Sequence, residues 1–488
     1  MGEMKILIDG VFFQHANTGI ARVWKSLLEA WVNDGFSDYL LVLDRAGTAP
    51  RISGIHYRQI PPYDYGNIEH DREFLQQICD EEEADLFIST YYTTPLTTPS
   101  VLLVHDMIPE AMGADLTYAD WREKHHCIAA ASAYITVSQN TAKDLLKFFP
   151  HIPPELVTVA YNGISREFSP VSATQIAQFK ATYGITKPYF LISGLNTTYK
   201  NNQLFFQAFA QLSTRTGFEV ICTGSQSLFK PEWRTYTSGS TVQILQLTDA
   251  ELIAAYSGAI ALVYPSKYEG FGLPILEAMA CGCPVITCPN ASIPEVAGDA
   301  ALYVQDDDVL GMANALCDVQ KPQVRHELIA RGLPRSQQFS WVTMAAIVRS
   351  VFVETTLQSF NLRKINWIAF PNWQQPEEHL FVELAGLIQM VMTYPESQDL
   401  TLLIYADSAV SEAATYSLSD ITMNVLMQLD LAEDQVPEIA LVNELTPLQW
   451  QALASKIQQR IGLVNEDQVA IEQTGMNRKP TLPVSTQV

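Results

Sequence analysis

No apolar run in these 488 residues approaches the roughly 18 residues that a membrane span requires. Cysteine is scarce: seven thiols, an odd number at irregular spacing, give no disulfide framework and suit a reducing compartment. Cys281 and Cys283 stand two apart with no second pair or histidine nearby, so they read as small buried residues and not as half a zinc site. Basic residues are few, with 30 Lys and Arg against 53 Asp and Glu and a net charge of -23. That balance argues against a general nucleic-acid binder and against strong adhesion to anionic lipid, while leaving peripheral membrane contact open. A single anionic ligand stays possible, because it needs only a local positive field. The opening, MGEMKILIDG, lacks a basic region followed by an apolar stretch; it reads as a first strand and not a signal peptide, and the expected location is cytoplasmic. No G-x-G-x-x-G follows that strand, which disfavours a nicotinamide oxidoreductase.

What is present is alternation. At 488 residues, two or three domains are expected. Apolar runs (KILID, YLLVL, DLFIST, SVLLVHD, AYITVS) alternate with helical patterns, and such continuous apolar strands imply parallel sheets covered by helices on both faces. The pattern loosens around Pro170 and Pro188, and a second series follows with YFLISG, FEVICTG, VQILQL and AIALVYPS. The expected division is residues 1–170 and 171–356, two doubly wound domains with a cleft between them. A shorter third series of three βα units, 357–470, suggests a degenerate half-domain with an interaction role, whose exposed edge needs cover from the body or from a second copy. Sixteen acidic residues against four Lys and Arg from Ile365 to Val488 disfavour a phosphate site there. Residues 471–488 read as a disordered tail.

The chemistry concentrates in YPSKYEGFGLPILEAMACGCPVI, Tyr264 to Ile286. Pro274 suits the first turn of a helix and Gly282 its end. Gly270 and Gly272 let the backbone turn and approach a ligand, leaving the N–H groups of Phe271, Gly272 and Leu273 for phosphate oxygens. Glu269 and Glu277, eight positions apart, are acceptor-only groups suited to the paired donors of a sugar diol. A ligand with a sugar at each end of a diphosphate, a nucleotide sugar, satisfies both features. Taken singly, Glu269 is equally a solvated loop residue and Glu277 a residue favoured by the helix dipole.

That stretch, with IPEVAGDAALYV after it, resembles the signature of the retaining glycosyltransferases of family four, over roughly residues 4 to 355. The resemblance implies an α/β GT-B fold, two Rossmann-like domains facing a cleft. It implies that Glu269 contacts the transferred sugar and Glu277 the ribose. LISGLNTTYKNNQLFFQAF places Lys200 at the diphosphate and Gly194 in the same opening; many relatives carry Arg just before this Lys, where this chain has Tyr199. VLLVHDMIPE implies that His105 reaches the donor sugar, and HANTGIAR makes Gly19 and Arg22 contacts. Ser138 reads first as a helix cap. FSWVTMAAIV matches a last helix that crosses back to the first domain. The implied activity is transfer of a sugar from a nucleotide sugar to the hydroxyl of a sugar or glycan acceptor, with retention, without a metal or other cofactor. An alternative is an inactive GT-B scaffold that binds partners, and a homo-oligomer through the C-terminal extension stays open.

Overall fold

The computed structural model describes residues 4–15, 18–64, 67–195, 197–224, 229–431 and 436–484. Three parallel sheets follow one another along the chain. The first contains β1 (Ile6–Asp9), β2 (Leu40–Arg45), β3 (His56–Ile60), β4 (Leu86–Ser89), β5 (Ser100–Val104), β6 (Ala133–Thr136) and β7 (Val157–Val159), in the order β3-β2-β1-β4-β5-β6-β7. Its central strand pairs Ile6 with Leu40 on one side and with Leu86 on the other. β1, β4 and β5 are buried at every position, as their apolar runs require when helices cover both faces. One such helix, Gly19–Asp34, starts where the Thr18 side chain accepts from the Ala21 N–H and ends at left-handed Gly35. Its stripe of Val23, Trp24, Leu27, Leu28 and Trp31 lies in the core.

The second sheet contains β8 (Tyr189–Ser193), β9 (Glu219–Thr223), β10 (Val242–Leu245), β11 (Leu262–Tyr264), β12 (Val285–Thr287) and β13 (Ala301–Tyr303), ordered β10-β9-β8-β11-β12-β13. The strand order reverses between β8 and β11, the place where open α/β sheets form a ligand crevice at their strand ends. The loops that leave those two strands carry Gly194 and the 265–272 segment. After the second sheet, the helix Trp341–Thr356 returns to the first. The Trp31 indole N–H donates to the Ala345 carbonyl at 3.1 Å, Trp31 and Phe352 pack at 5.7 Å between ring centroids, and Arg349 pairs with Asp34 at 2.7 Å.

The third sheet corrects the expected half-domain. It has five strands, β14 (Ile365–Ala369), β15 (Leu400–Tyr405), β16 (Glu438–Val442), β17 (Gln459–Gly462) and β18 (Thr481–Pro483), ordered β16-β15-β14-β17-β18, a doubly wound sheet of its own. The expected disordered tail is corrected with it: Gln468–Gln473 is helical and β18 pairs in parallel with β17. Backbone pairing, and burial of Ile471 and Met476, stabilise a segment whose side chains are mostly polar. Residues 485–488 of that tail lie outside the described residues. At this sheet's own switch point the crevice is closed by backbone, with Pro371 bridged to Glu466 and the Asp467 N–H donating to the Phe370 carbonyl at 3.0 Å. The unit docks onto the returning helix through Pro447–Lys456: Gln449 donates to the Thr356 hydroxyl at 3.1 Å, and Lys456 pairs with Glu354 at 3.1 Å.

Candidate functional site

The 265–272 loop leaves β11 and enters the helix Leu273–Ala280 through Gly272, whose φ of 104° is a left-handed conformation that favours glycine. Pro274 sits in the first turn, and the N–H groups of Gly272 and Leu273 find no acceptor among the described residues. The helix mouth is therefore a set of free donors with the positive end of the dipole behind it. Phe271 contributes backbone only, because its ring packs in the core against Phe339 and Tyr161, at 5.6 and 6.3 Å between centroids.

The loop is fixed from both sides. The Ser292 hydroxyl reaches the carbonyls of Glu269 and Phe271 at 2.9 and 3.0 Å. From the first sheet, Ser138 and Thr141 hydroxyls lie 2.7 and 3.2 Å from the Gly270 carbonyl. Ser138 is also the N-cap of the helix Gln139–Phe148, accepting from the Thr141 N–H, so it is at once cap and cross-cleft tie. A Cβ on Gly270 would lie 1.8 Å from the His105 carbonyl oxygen. Only glycine fits there.

Each glutamate of the eight-residue pair is held by a cation. Lys200 Nζ donates to Glu269 at 2.8 Å and also to the Tyr264 hydroxyl, lying over the Tyr264 ring. Arg22, from the first sheet's helix, donates to Glu277 at 2.8 Å and to Asp249 at 2.6 Å. The second Glu277 oxygen accepts from the Tyr256 hydroxyl at 3.2 Å. Burial pushes the Glu277 carboxyl above the usual range, against the opposing pull of Arg22 and Tyr256. Gly194 lies against the Lys200 stem, and Gly19 faces Leu273, so the mouths of the two helices meet across the cleft.

His105 follows β5, adjoining the 265–272 loop through Gly270. Burial lowers its pKa to about 3, and its Nε2 is buried without a hydrogen-bond partner. The ring is neutral at ordinary pH and holds an unused polar atom. Beneath it lies a group that sequence reasoning missed. Fully buried Lys124 donates to the Asp106 carbonyl at 3.1 Å and to Glu110 at 2.8 Å, supporting the turn after β5 from inside the protein. Also missed was Glu295, whose carboxylate accepts from the N–H groups of Gln139 and Asn140 at 2.8 and 2.7 Å, capping a helix of the first unit from the second. Its signal was present as the PE of IPEVAG, but the partner helix lies about 155 positions away. The structure thus brings Gly19, Arg22, His105, Lys200, Glu269, Gly270, Gly272, Leu273 and Glu277 to one cleft, with Gly194 behind Lys200. Cys281 and Cys283 are buried free thiols.

Comparison with known proteins gives the same architecture. Anabaena HepE, solved with UDP and glucose, superposes with a TM-score of 0.58 over 72% of this chain and 100% of its own, at 17% identity. The fold is GT-B. A sucrose-phosphate synthase of Thermosynechococcus elongatus gives a TM-score of 0.59 at 19% identity, over 72% of this chain and 98% of its own. Residues 187–321 match the family model described as glycosyl transferases group 1, and residues 17–168 match glycosyltransferase family 4. Among curated proteins, O-antigen chain mannosyltransferase B of Escherichia coli is 32% identical over 226 residues, 44% of this chain and 59% of that protein. Alpha-maltose-1-phosphate synthase of Mycobacterium tuberculosis is 27% identical over 277 residues, 51% of this chain and 70% of that protein. The two family models together span residues 17–321 and do not reach the third sheet of this chain. No helix of the described residues is long and apolar enough to cross a membrane.

Proposed function

We propose that this GT-B protein is a glycosyltransferase that moves a sugar from a nucleotide-diphosphate sugar to an acceptor hydroxyl, with retention of configuration. One observation carries the reading: the free helix mouth at Gly272 and Leu273 is flanked by two carboxylates, each already paired with a cation, and a buried neutral His105 with an unused nitrogen adjoins it. Diphosphate suits the mouth and the cations. Ribose suits Glu277, and the transferred sugar suits Glu269 and His105.

In this mechanism the bond from the anomeric carbon to the diphosphate oxygen breaks while the acceptor oxygen bonds to the same face. The leaving diphosphate oxygen takes the acceptor's proton. Lys200 and the helix amides offset the charge that develops on the diphosphate, and Glu269 and His105 orient the ring as it gains oxocarbenium character. The protein's own positive groups serve this role without a divalent ion. The first sheet's strand ends would receive the acceptor, a sugar or glycan, and residues 171–356 the donor. The third unit covers the returning helix and serves in interaction. The mannosyltransferase similarity favours a hexose as the transferred group.

Incubation of the protein with a panel of nucleotide sugars tests the reading, following release of nucleoside diphosphate and the anomeric proton of the product by NMR. Slow donor hydrolysis is expected, and a glycoside formed on an added sugar acceptor, which cannot mutarotate, should keep the donor's anomeric configuration. No turnover of any donor would leave the partner-binding scaffold, and an opposite anomer would remove retention.

A further inference from the structure

Among the described residues Lys200 is the one cation that the second unit brings to the 265–272 loop through an ion pair, and a diphosphate carries at least two negative charges. A second cation stands on the other side of the helix mouth. Arg22 lies one turn into the helix Gly19–Asp34, whose first residue faces Leu273 across the cleft. Its guanidinium is 5.2 Å from the Phe168 ring centroid, and its two terminal nitrogens are spent on two different carboxylates.

A ribose bound at Glu277 competes with this arrangement. A diol held by both carboxylate oxygens has to share Oε1 with Arg22, which donates to it at 2.8 Å, and Oε2 with the Tyr256 hydroxyl at 3.2 Å, so the hold of Glu277 on Arg22 weakens as ribose binds. Loosened from Glu277 and still paired with Asp249 at 2.6 Å, the guanidinium has N–H groups to offer to phosphates that the nucleotide-sugar reading puts at the adjoining mouth. On the nucleotide-sugar reading Lys200, paired with Glu269 at 2.8 Å, would make the same exchange on the other side. In the ligand-free protein the two acids hold the two cations in place; with donor bound, sugars take the acids and phosphates take the cations.

We infer that Arg22 is a diphosphate-binding residue supplied by the first unit, parked on Glu277 and Asp249 until ribose loosens it from Glu277. The assignment rests on the nucleotide-sugar reading of the site. It makes diphosphate binding depend on both units, because Arg22 is the one residue among the described ion pairs that joins the first unit to the 171–340 region.

Calorimetric titration of UDP, GDP and ADP into the full chain identifies the nucleoside diphosphate that binds. That compound is then compared with its parent nucleoside in Arg22→Gln, Arg22→Lys and the double variant Arg22→Gln/Tyr199→Arg. The Tyr199 ring centroid lies 5.2 Å from Lys200 Nζ, so a guanidinium at 199 would reach the same phosphates from the opposite wall. Arg22→Gln should weaken the diphosphate about tenfold or more, the scale of a lost charge-assisted hydrogen bond. It should leave the nucleoside unchanged or tighter, since Glu277 is freed. Arg22→Lys and the double variant should each recover most of the loss. Equal loss for nucleoside and diphosphate, an unaffected diphosphate, or no recovery in the double variant would overturn the assignment and leave Arg22 as a structural tie. Should Arg22→Gln fail to fold, Arg22→Met carries the test, with a loss confined to the diphosphate expected and an equal loss for both compounds contradicting it. If the wild-type chain binds none of the three diphosphates, the nucleotide-sugar reading itself falls and takes this assignment with it.

Discussion

Gly270 and His105 meet backbone to backbone across the cleft: the space for a Cβ on Gly270 is filled by the His105 carbonyl oxygen at 1.8 Å and by the Asp106 Cβ at 2.8 Å. Neither neighbour gives way cheaply, because the turn after β5 is held by buried Lys124 and the loop by Ser138 and Ser292. Gly270→Ala must therefore push the two walls of the site apart. Misplacement of reacting groups by about 1 Å costs on the order of 100-fold in rate. The expected result is at least that loss in kcat with an unchanged far-UV circular dichroism spectrum; near wild-type kcat would contradict the contact.

The two glutamates should fail differently. On the proposed reading, Glu269→Gln removes charge beside the reacting sugar and should lower kcat about 100- to 1000-fold. On the same reading Glu277→Gln weakens the hold on ribose and should appear mainly in the donor KM. Steady-state kinetics with the donor found in the panel separates them, and identical kcat effects would erase the division of roles.

His105 sets a pH dependence. Its folded pKa is about 3 against an ordinary value near 6.5, so below pH 6.5 the unfolded chain takes up a proton that the folded chain does not. Its contribution to stability is complete above about 6.5 and declines as pH falls towards 3, by at most about 1.4 kcal/mol per unit. The thermal midpoint of His105→Gln should consequently fall less between pH 7 and pH 4.5 than that of the wild type. Equal falls would show that the ring is solvated. The same neutrality predicts no inflection from His105 in the kcat/KM profile between pH 5 and 8.

Beneath the first sheet's strand ends, Arg45 is fully buried between Asp9 and Asp71, with four hydrogen bonds of 2.6 to 2.9 Å. Removing one acid strands a buried guanidinium. Asp9→Ala should cost about 3–5 kcal/mol, read as a lower urea midpoint for the first unit. A shift below about 1 kcal/mol would mean that water enters the cluster.

A chain ending at Thr356 loses the cover that Leu448 and Ala452 give to the main core, and the Gln449 and Lys456 ties to the returning helix. Size-exclusion chromatography should show it self-associating. A monomeric and fully active truncated chain would contradict docking within the molecule.

Legibility in the sequence followed burial. The first two sheets were readable because strands such as Leu86–Ser89 and Glu219–Thr223 are buried throughout and mostly apolar, flanked by helices with regular stripes. The third sheet was misread as half a domain because its last two strands, QRIG and TLP, are short, and the second of them is largely exposed. Glu269 and Glu277 stand out because glycines and a helix start lie between them. Arg22 and Lys200 stand out only through the family resemblance, and their pairing with these acids does not: Arg22 is 255 positions from Glu277 and Lys200 is 69 from Glu269. Lys124 looks like any surface lysine of a largely polar helix, ADWREKHHCIAA, until packing closes over it.

The central claim is that the mouth of the helix Leu273–Ala280 holds diphosphate between two sugar-binding acids. A crystal structure of the protein with its preferred nucleoside diphosphate tests this most directly. The account predicts a phosphate oxygen within hydrogen-bonding distance of the Gly272 or Leu273 N–H, and both ribose hydroxyls on Glu277 with Arg22 withdrawn from it. Phosphates bound elsewhere, with Arg22 still on Glu277, would contradict it.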